Sequence, residues 1–460
     1  MDTKTILSTI TAIFLIAGCS SDKPIETTKK EKSSIAQFSH DTSKKAFTNS
    51  YDFKTNEALD QHILGKSFFT IPWVEAPSAT TARDGLGPLF SANTCVHCHP
   101  NNSAGLATNK KGDLTRSLLM RLSLSNVKNI NNDLIATKGF LPEPTYGGQL
   151  SLNGTSDVAY EGNVDVIYKS IEGKYADGEV YTLQSPTYKV SKLQYGAFHP
   201  DVNIAPRIGL ALVGLGAIES IAENDILANE DIDDKDKDGI SGKANWVYDP
   251  QSNSTQLGRF TWKAAAASVK HQSANAAHND MGLSNPLFPK HNCTDAQKEC
   301  QKALKGRFDF DLPQERLDAI AYYLKTLKIP RQRKNAHFDK GEKIFKVLGC
   351  VKCHVDSFKT SDGVEIKPYS DFLLHDMGDE LSDGHTMFKA SANEFRTPPL
   401  WGIGLYKKAS SGLALLHDGR ARSIQEAILW HGGEAKEQAR RFKALAKQDR
   451  EDLVEFINGI

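Results

Sequence analysis

A chain of 460 residues has room for about two or three domains and an ample core. Lys and Arg together number 56, as do Asp and Glu, so the formal net charge is zero. With that balance, and with no basic stripe or interleaving of aromatic and basic residues, a nucleic-acid partner is excluded; the charge says little about other partners.

Residues 1–18 carry a single lysine, Lys4, then an apolar run at 10–16, then Ala17-Gly18-Cys19. This reads as a secretory signal, too short in its apolar part to span a bilayer. Leu15-Ile16-Ala17-Gly18-Cys19 resembles a bacterial lipobox, which implies cleavage before Cys19 and lipidation of that residue. Ser20 follows instead of aspartate, which in the lipoproteins it resembles implies sorting to the periplasmic side of the outer membrane. An ordinary signal peptide with a cysteine nearby is the alternative. Residues 19–50, polar and rich in Lys, Ser and Thr, read as a flexible tether.

From residue 51 the chain becomes globular. Residues 57–69 have helical character and lead, through the turn signal Asp84-Gly85, to Cys95-Val96-His97-Cys98-His99. The same spacing returns as Cys350-Val351-Lys352-Cys353-His354. A bare C-x-x-C serves equally as a redox dithiol or half of a zinc site. Histidine directly after the second cysteine, twice, points instead to covalently attached haem. Each thiol forms a thioether to a vinyl group, and the adjacent imidazole, His99 or His354, becomes the proximal ligand of the iron.

Between the motifs lies a long insertion. Residues 164–193 alternate in the manner of a β-hairpin with Asp177-Gly178 at its turn. Asp234, Asp236 and Asp238 stand at alternate positions before Gly239, matching the first half of a calcium loop. Asn245 stands at the twelfth position, where a complete loop has glutamate, so a solvated acidic turn is the other reading. Cys293 and Cys300, left over once lipid and haem are assigned, are expected to form a disulfide.

Residues 312–325 form an amphipathic helix with Leu317, Ile320, Ala321 and Leu324 at helical spacing, ended by Pro330. A domain boundary is expected in the basic stretch 331–335. Beyond it the plan repeats more compactly, with a helix at 340–349, the second haem motif, and a closing helix at 450–458. The expected architecture is mainly α. It has two cytochrome c-like haem domains, 51–332 and 333–460, the first enlarged by an insertion with some β-hairpin structure.

Function turns on what lies above each iron. For the second haem the candidates are Met377, His375, His385, His417 and His431. Ser423-Ile424-Gln425-Glu426 is a capping box, and Gly432-Gly433 ends the helix that it starts, leaving His431 at the end of a short rigid element. Met377 lies in a loop from which a thioether also reaches.

Three blocks carry a family resemblance: residues 395–404, 416–421 and 428–435, containing Arg396-Thr397-Pro398-Pro399, His417-Asp418-Gly419-Arg420 and Trp430-His431-Gly432-Gly433. With Tyr146-Gly147-Gly148-Gln149, Phe198-His199-Pro200-Asp201 and residues 208–221 and 258–264, they resemble the dihaem oxidoreductases. Those exported proteins are sometimes labelled thiol oxidoreductases and look like distant relatives of bacterial dihaem cytochrome c peroxidases. The resemblance covers nearly everything after the tether. It implies that His431, where the peroxidases have methionine, is the distal ligand of an electron-transfer haem, with Met377 the runner-up; imidazole there implies a lower potential. It further implies a substrate-reactive first haem. Glu219 in Gly214-Leu215-Gly216-Ala217-Ile218-Glu219 is then the candidate acid–base carboxylate, Gln149 an assisting hydrogen-bonder and His199 a displaceable ligand.

The reading is of a lipid-anchored periplasmic dihaem oxidoreductase, peroxidase-like, exchanging electrons with a soluble partner of small-cytochrome or cupredoxin type. Calcium and a homodimer are left open. A purely electron-transferring cytochrome is the rival from another class. Thiol oxidation has little support, because every cysteine already has a use.

Overall fold

Each Cys-x-x-Cys-His motif is reached through a helix that crosses a later helix at a glycine. In the computed structural model, which describes residues 34–125 and 132–460, the first of these is Asn56–Thr70. The Thr55 hydroxyl accepts the N–H of Ala58 at 3.2 Å and starts it. Its buried face, His62, Gly65, Phe68 and Phe69, packs on the helix Gln314–Lys325, which turns Leu317, Ile320 and Leu324 inward. Burying each such side chain contributes about 1.5–3 kcal/mol. The crossing is closest at Gly65, where a Cβ would lie 1.8 Å from the carbonyl oxygen of Ala319.

The second crossing has the same form. Helix Phe338–Leu348 buries Phe338, Phe345 and Leu348 against helix Lys447–Gly459, and a Cβ on Gly341 would lie 2.1 Å from the carbonyl oxygen of Asp452. Gly349, at φ 84°, ends the incoming helix in the left-handed conformation, and Cys350 begins the next turn.

The expectation of a mainly α fold is overturned. The chain is 30% helix and 19% strand, with seven two-stranded sheets among the described residues. Leu118–Leu124 runs antiparallel to Val202–Ile208, in register from Leu118 opposite Ile208 to Leu124 opposite Val202. Trp246–Asp249 pairs with Ser254–Leu257. These strands are short, and the first pair joins residues about eighty apart, so local pattern carries little of the signal.

The hairpin Asn163–Lys174 with Val180–Ser191 has a destination. Its tip reaches the last helix, where Arg450 donates to Asp177 at 2.8 Å and to Glu179 at 2.6 Å. Tyr175 lies under the Arg450 guanidinium and against Phe442. The first half of the chain thus clamps the end of the second.

Two expectations about boundaries change. Residues 34–50, assigned to the tether, belong to the packed body: Phe38–Ser39 pairs in parallel with Ile329–Pro330, and Phe47 is wholly buried. Ser34–Ile460 form one compact unit, and the stretch 331–335 is bonded into it, the Arg333 N–H donating to the carbonyl of Gly459 at 2.7 Å. The signal segment, Cys19 and the start of the tether lie outside the described residues. No helix among the described residues is long and apolar enough to cross a membrane. Cys293 and Cys300 are joined.

Candidate dihaem site

Beside each motif lies an apolar cavity, about 250 Å³ next to Cys95, Cys98 and His99 and about 200 Å³ next to Cys350, Cys353 and His354. The four motif cysteines are free of disulfides. In each motif a single turn, Cys95–His97 or Cys350–Lys352, brings both cysteines to one side. His99 donates through Nδ1 to the carbonyl of Leu210 at 2.8 Å, and His354 donates in the same way to Tyr369 at 2.8 Å. With Nδ1 committed, the lone pair of each ring sits on Nε2. That is how a metal-binding imidazole is oriented. Burial lowers both pKa values to about 4, so the rings stay neutral.

The second cavity contains a third histidine held in this way. His431 is the first residue beyond helix Ile424–Trp430, and its Nδ1 donates to the carbonyl of Ala427 at 2.6 Å. Ser423 caps that helix by accepting the N–H of Glu426, while the Glu426 carboxylate accepts from Arg422 rather than from Ser423 as a strict capping box would have it. Met377 also lines this cavity. His375 is spent elsewhere: it donates to Asp371 and to Glu434, both at 2.7 Å. His417, stacked on Phe395 at 4.3 Å, lines the cavity as well.

The residues expected at the first haem separate. Gln149 lines the cavity, accepting from Arg121 at 3.0 Å and donating to Asp280 at 3.0 Å. Glu219 does not reach it. Its carboxylate accepts the N–H of Val269 at 2.8 Å and pairs with Lys325 at 3.1 Å, tying two helices together. The glycine-rich run buries Ile218, and the next residue turns the other way. His199 is also away from the cavity, at the surface, its Nδ1 accepting the N–H of Asp201.

Their places are taken by residues that sequence reasoning missed. Asp280 lies in the last turn of the helix Val269–Met281, whose cavity-facing residues mix polar and apolar side chains, so no clean apolar period announces it. Burial raises the Asp280 carboxyl to about 6 against the opposing pull of Gln149 and Arg121. His385, considered above for the second haem, lines the first cavity instead.

Neither cavity is closed by its own half of the chain. Arg396, Pro399 and Tyr406 from the second half, and Leu210 and Trp262 from the first, line both. Trp262 is fixed there by donating to the carbonyl of Ile208 at 2.8 Å. Arg396 is buried and bonded to the carbonyls of Thr261 and Thr397, with no ion pair among the described residues. A buried guanidinium that is bonded to carbonyls and only distantly balanced by Asp371 favours a further anion beside it. Haem propionates are such anions, and the apolar walls, oriented imidazoles and paired thiols fit the rest of the group.

The acidic loop assembles differently from the expectation. Asp231, Asp234 and Asp236 converge, while Asp238 is drawn to Lys352 inside the second haem motif. Asp234 also accepts the N–H groups of Asp238 and Gly239.

A family model described as "Di-haem oxidoreductase, putative peroxidase" matches residues 26–460. No curated protein matches. Among solved structures, one of Kuenenia stuttgartiensis hydrazine synthase pressurised with 20 bar xenon is 19% identical, over 38% of this chain and 65% of that one, with a TM-score of 0.24. A likeness that slight carries no argument. The family match spans nearly the whole described chain, on top of two motifs each beside its own cavity: the chain belongs to the di-haem oxidoreductase family.

Proposed function

We propose that the protein reduces peroxide at the first cavity and passes electrons through the second. One observation carries this reading. The second cavity is faced by two imidazoles whose Nδ1 is tied to a carbonyl, His354 and His431, whereas in the first only His99 is held in that way. Two fixed imidazoles make a six-coordinate electron-transfer centre; one leaves a position at which a small substrate reaches the metal.

The haems, attached as c-type groups through Cys95, Cys98, Cys350 and Cys353, supply the one-electron steps and the centre at which the O–O bond is cleaved. The chain does the rest. Gln149, Asp280 and Arg121 form a bonded polar group on the wall of the first cavity, suited to hold a peroxide and exclude bulk water. Trp262 and Tyr406 fill the wall common to both cavities, and Arg396 beside them offsets negative charge.

The electron partner is a small soluble cytochrome or cupredoxin, and the protein is held by lipid on Cys19 at the periplasmic face of the outer membrane. Calcium, where it binds, takes Asp231, Asp234 and Asp236. The reading is tested by electron paramagnetic resonance of the oxidised and half-reduced protein, with peroxide turnover against reduced cytochrome. One high-spin and one low-spin centre with turnover is expected. Two permanently low-spin centres that ignore peroxide in every redox state would leave a purely electron-transferring cytochrome.

A further inference from the structure

His385 is 1% exposed, lines the first cavity, and has no hydrogen-bond partner on either ring nitrogen. Only its backbone is fixed, its N–H donating to Asp383 at 2.9 Å, while the ring rests against Phe140 with centroids 4.9 Å apart. A buried polar ring with neither nitrogen satisfied is unfavourable, because both groups have given up water and gained nothing in return. Such a group marks a place where something else supplies the partner.

The other histidines decide what that partner is. Every imidazole that faces iron in the reading above has Nδ1 tied to a carbonyl. His385 lacks the tie that fixes an axial ligand, and keeps both nitrogens available. We propose that His385, supplied by the C-terminal half of the chain, is the distal proton-relay residue of the first cavity. The inference rests on the peroxide reading and assigns it the acid–base group that Glu219 does not provide.

In this role one ring nitrogen takes the proton from the inner oxygen of hydrogen peroxide and returns it to the outer oxygen. The O–O bond breaks and the outer oxygen leaves as water. Two electrons from the soluble donor protein, which the bound haems would pass on, and two protons from solvent would convert the inner oxygen into the second water. The sum is H2O2 + 2 H+ + 2 e− → 2 H2O. Burial, and after it the positive charge of Arg207, Arg121 and Lys263, disfavours the protonated ring, so a proton taken up there is readily passed on. Asp383 compensates Arg207 and Lys263 from behind.

The test uses the full haem-loaded protein with His385→Ala and His385→Gln, the second keeping the volume where the first fails to fold. Cyanide is the probe, because hydrogen cyanide must give up its proton as it binds ferric haem. The expected result is an unchanged resting paramagnetic resonance spectrum, cyanide association slowed at least about tenfold, and peroxide turnover lowered by about 10²–10⁴. Loss of a low-spin signal in the variants would make His385 an axial ligand and overturn the proposal. Unchanged cyanide association would overturn it as well, whatever happens to turnover. Slowed cyanide binding in a protein whose parent does not consume peroxide supports the relay and removes the peroxidase reading alone.

Discussion

Replacing Gly341 by alanine tests whether the second haem motif is held by the helix crossing that precedes it. In an isolated helix the change would be favourable by about 1 kcal/mol, because alanine is the better helix former. Here the new Cβ would stand 2.1 Å from the carbonyl oxygen of Asp452 and 2.5 Å from Cβ of Phe456, where ordinary contact begins at 3.4 Å. Both obstacles lie at or next to the backbone, so the helices must separate by more than an ångström. Overpacking of this kind costs about 1–3 kcal/mol, which outweighs the propensity gain and leaves a net loss of up to about 2 kcal/mol. Thermal unfolding of the haem-loaded protein, followed by far-ultraviolet circular dichroism, should show a midpoint lower by about 1–2 °C, since a body of this size unfolds with a large entropy. Gly65→Ala, with its Cβ 1.8 Å from the Ala319 carbonyl, should move the midpoint in the same direction. A variant as stable as the parent, or more stable, would refute the reasoning that these crossings are tight.

Three further outcomes are expected. His431→Ala should turn the second haem from low-spin to high-spin in paramagnetic resonance, while Met377→Leu should leave its spectrum as it was; the reverse would make the thioether the ligand. Glu219→Gln and His199→Ala should leave peroxide turnover within about twofold of the parent, and Glu219→Gln should cost less than about 1 kcal/mol of stability, because the amide oxygen still accepts from Val269 and only the ion pair with Lys325 is lost. The Asp371–His375–Glu434 group should make stability pH-dependent on both sides. Despite burial, which raises it, bonding to His375 lowers Glu434 to about 2, so its contribution is present above about 4.5 and lost as pH falls toward 2. His375 is raised well above its usual value by Asp371, against burial, so its contribution is complete below about 6.5 and lost as pH rises through the raised value. Denaturation midpoints of the parent and His375→Gln across pH should converge at both extremes; parallel curves would contradict the linkage.

The two motifs, the helices around them and the hairpin were legible in the sequence, because each depends on spacing within a few residues. The motif needs two cysteines on one turn with histidine next, and helices Gln314–Lys325 and Phe338–Leu348 announce themselves by apolar residues at helical spacing. The position of His431 just beyond a short helix was readable as well, from the cap at Ser423 that fixes where that helix begins. The split into two self-contained domains was not, since Trp262 and Arg396, about 130 positions apart, line both cavities. Nor was the polar wall of the first cavity. Glu219 and Asp280 are both acidic residues at helix ends, and local pattern cannot tell which carboxylate is spent on Lys325 and which faces the cavity. The same holds for His385, which follows the second haem motif in the chain and lies at the first in space. Sequence by itself determined the two Cys-x-x-Cys-His motifs and the family they belong to, because their spacing is local. Tertiary structure alone decided which side chains share a cavity, because burial and unmet hydrogen bonds belong to neighbours that the chain order does not record.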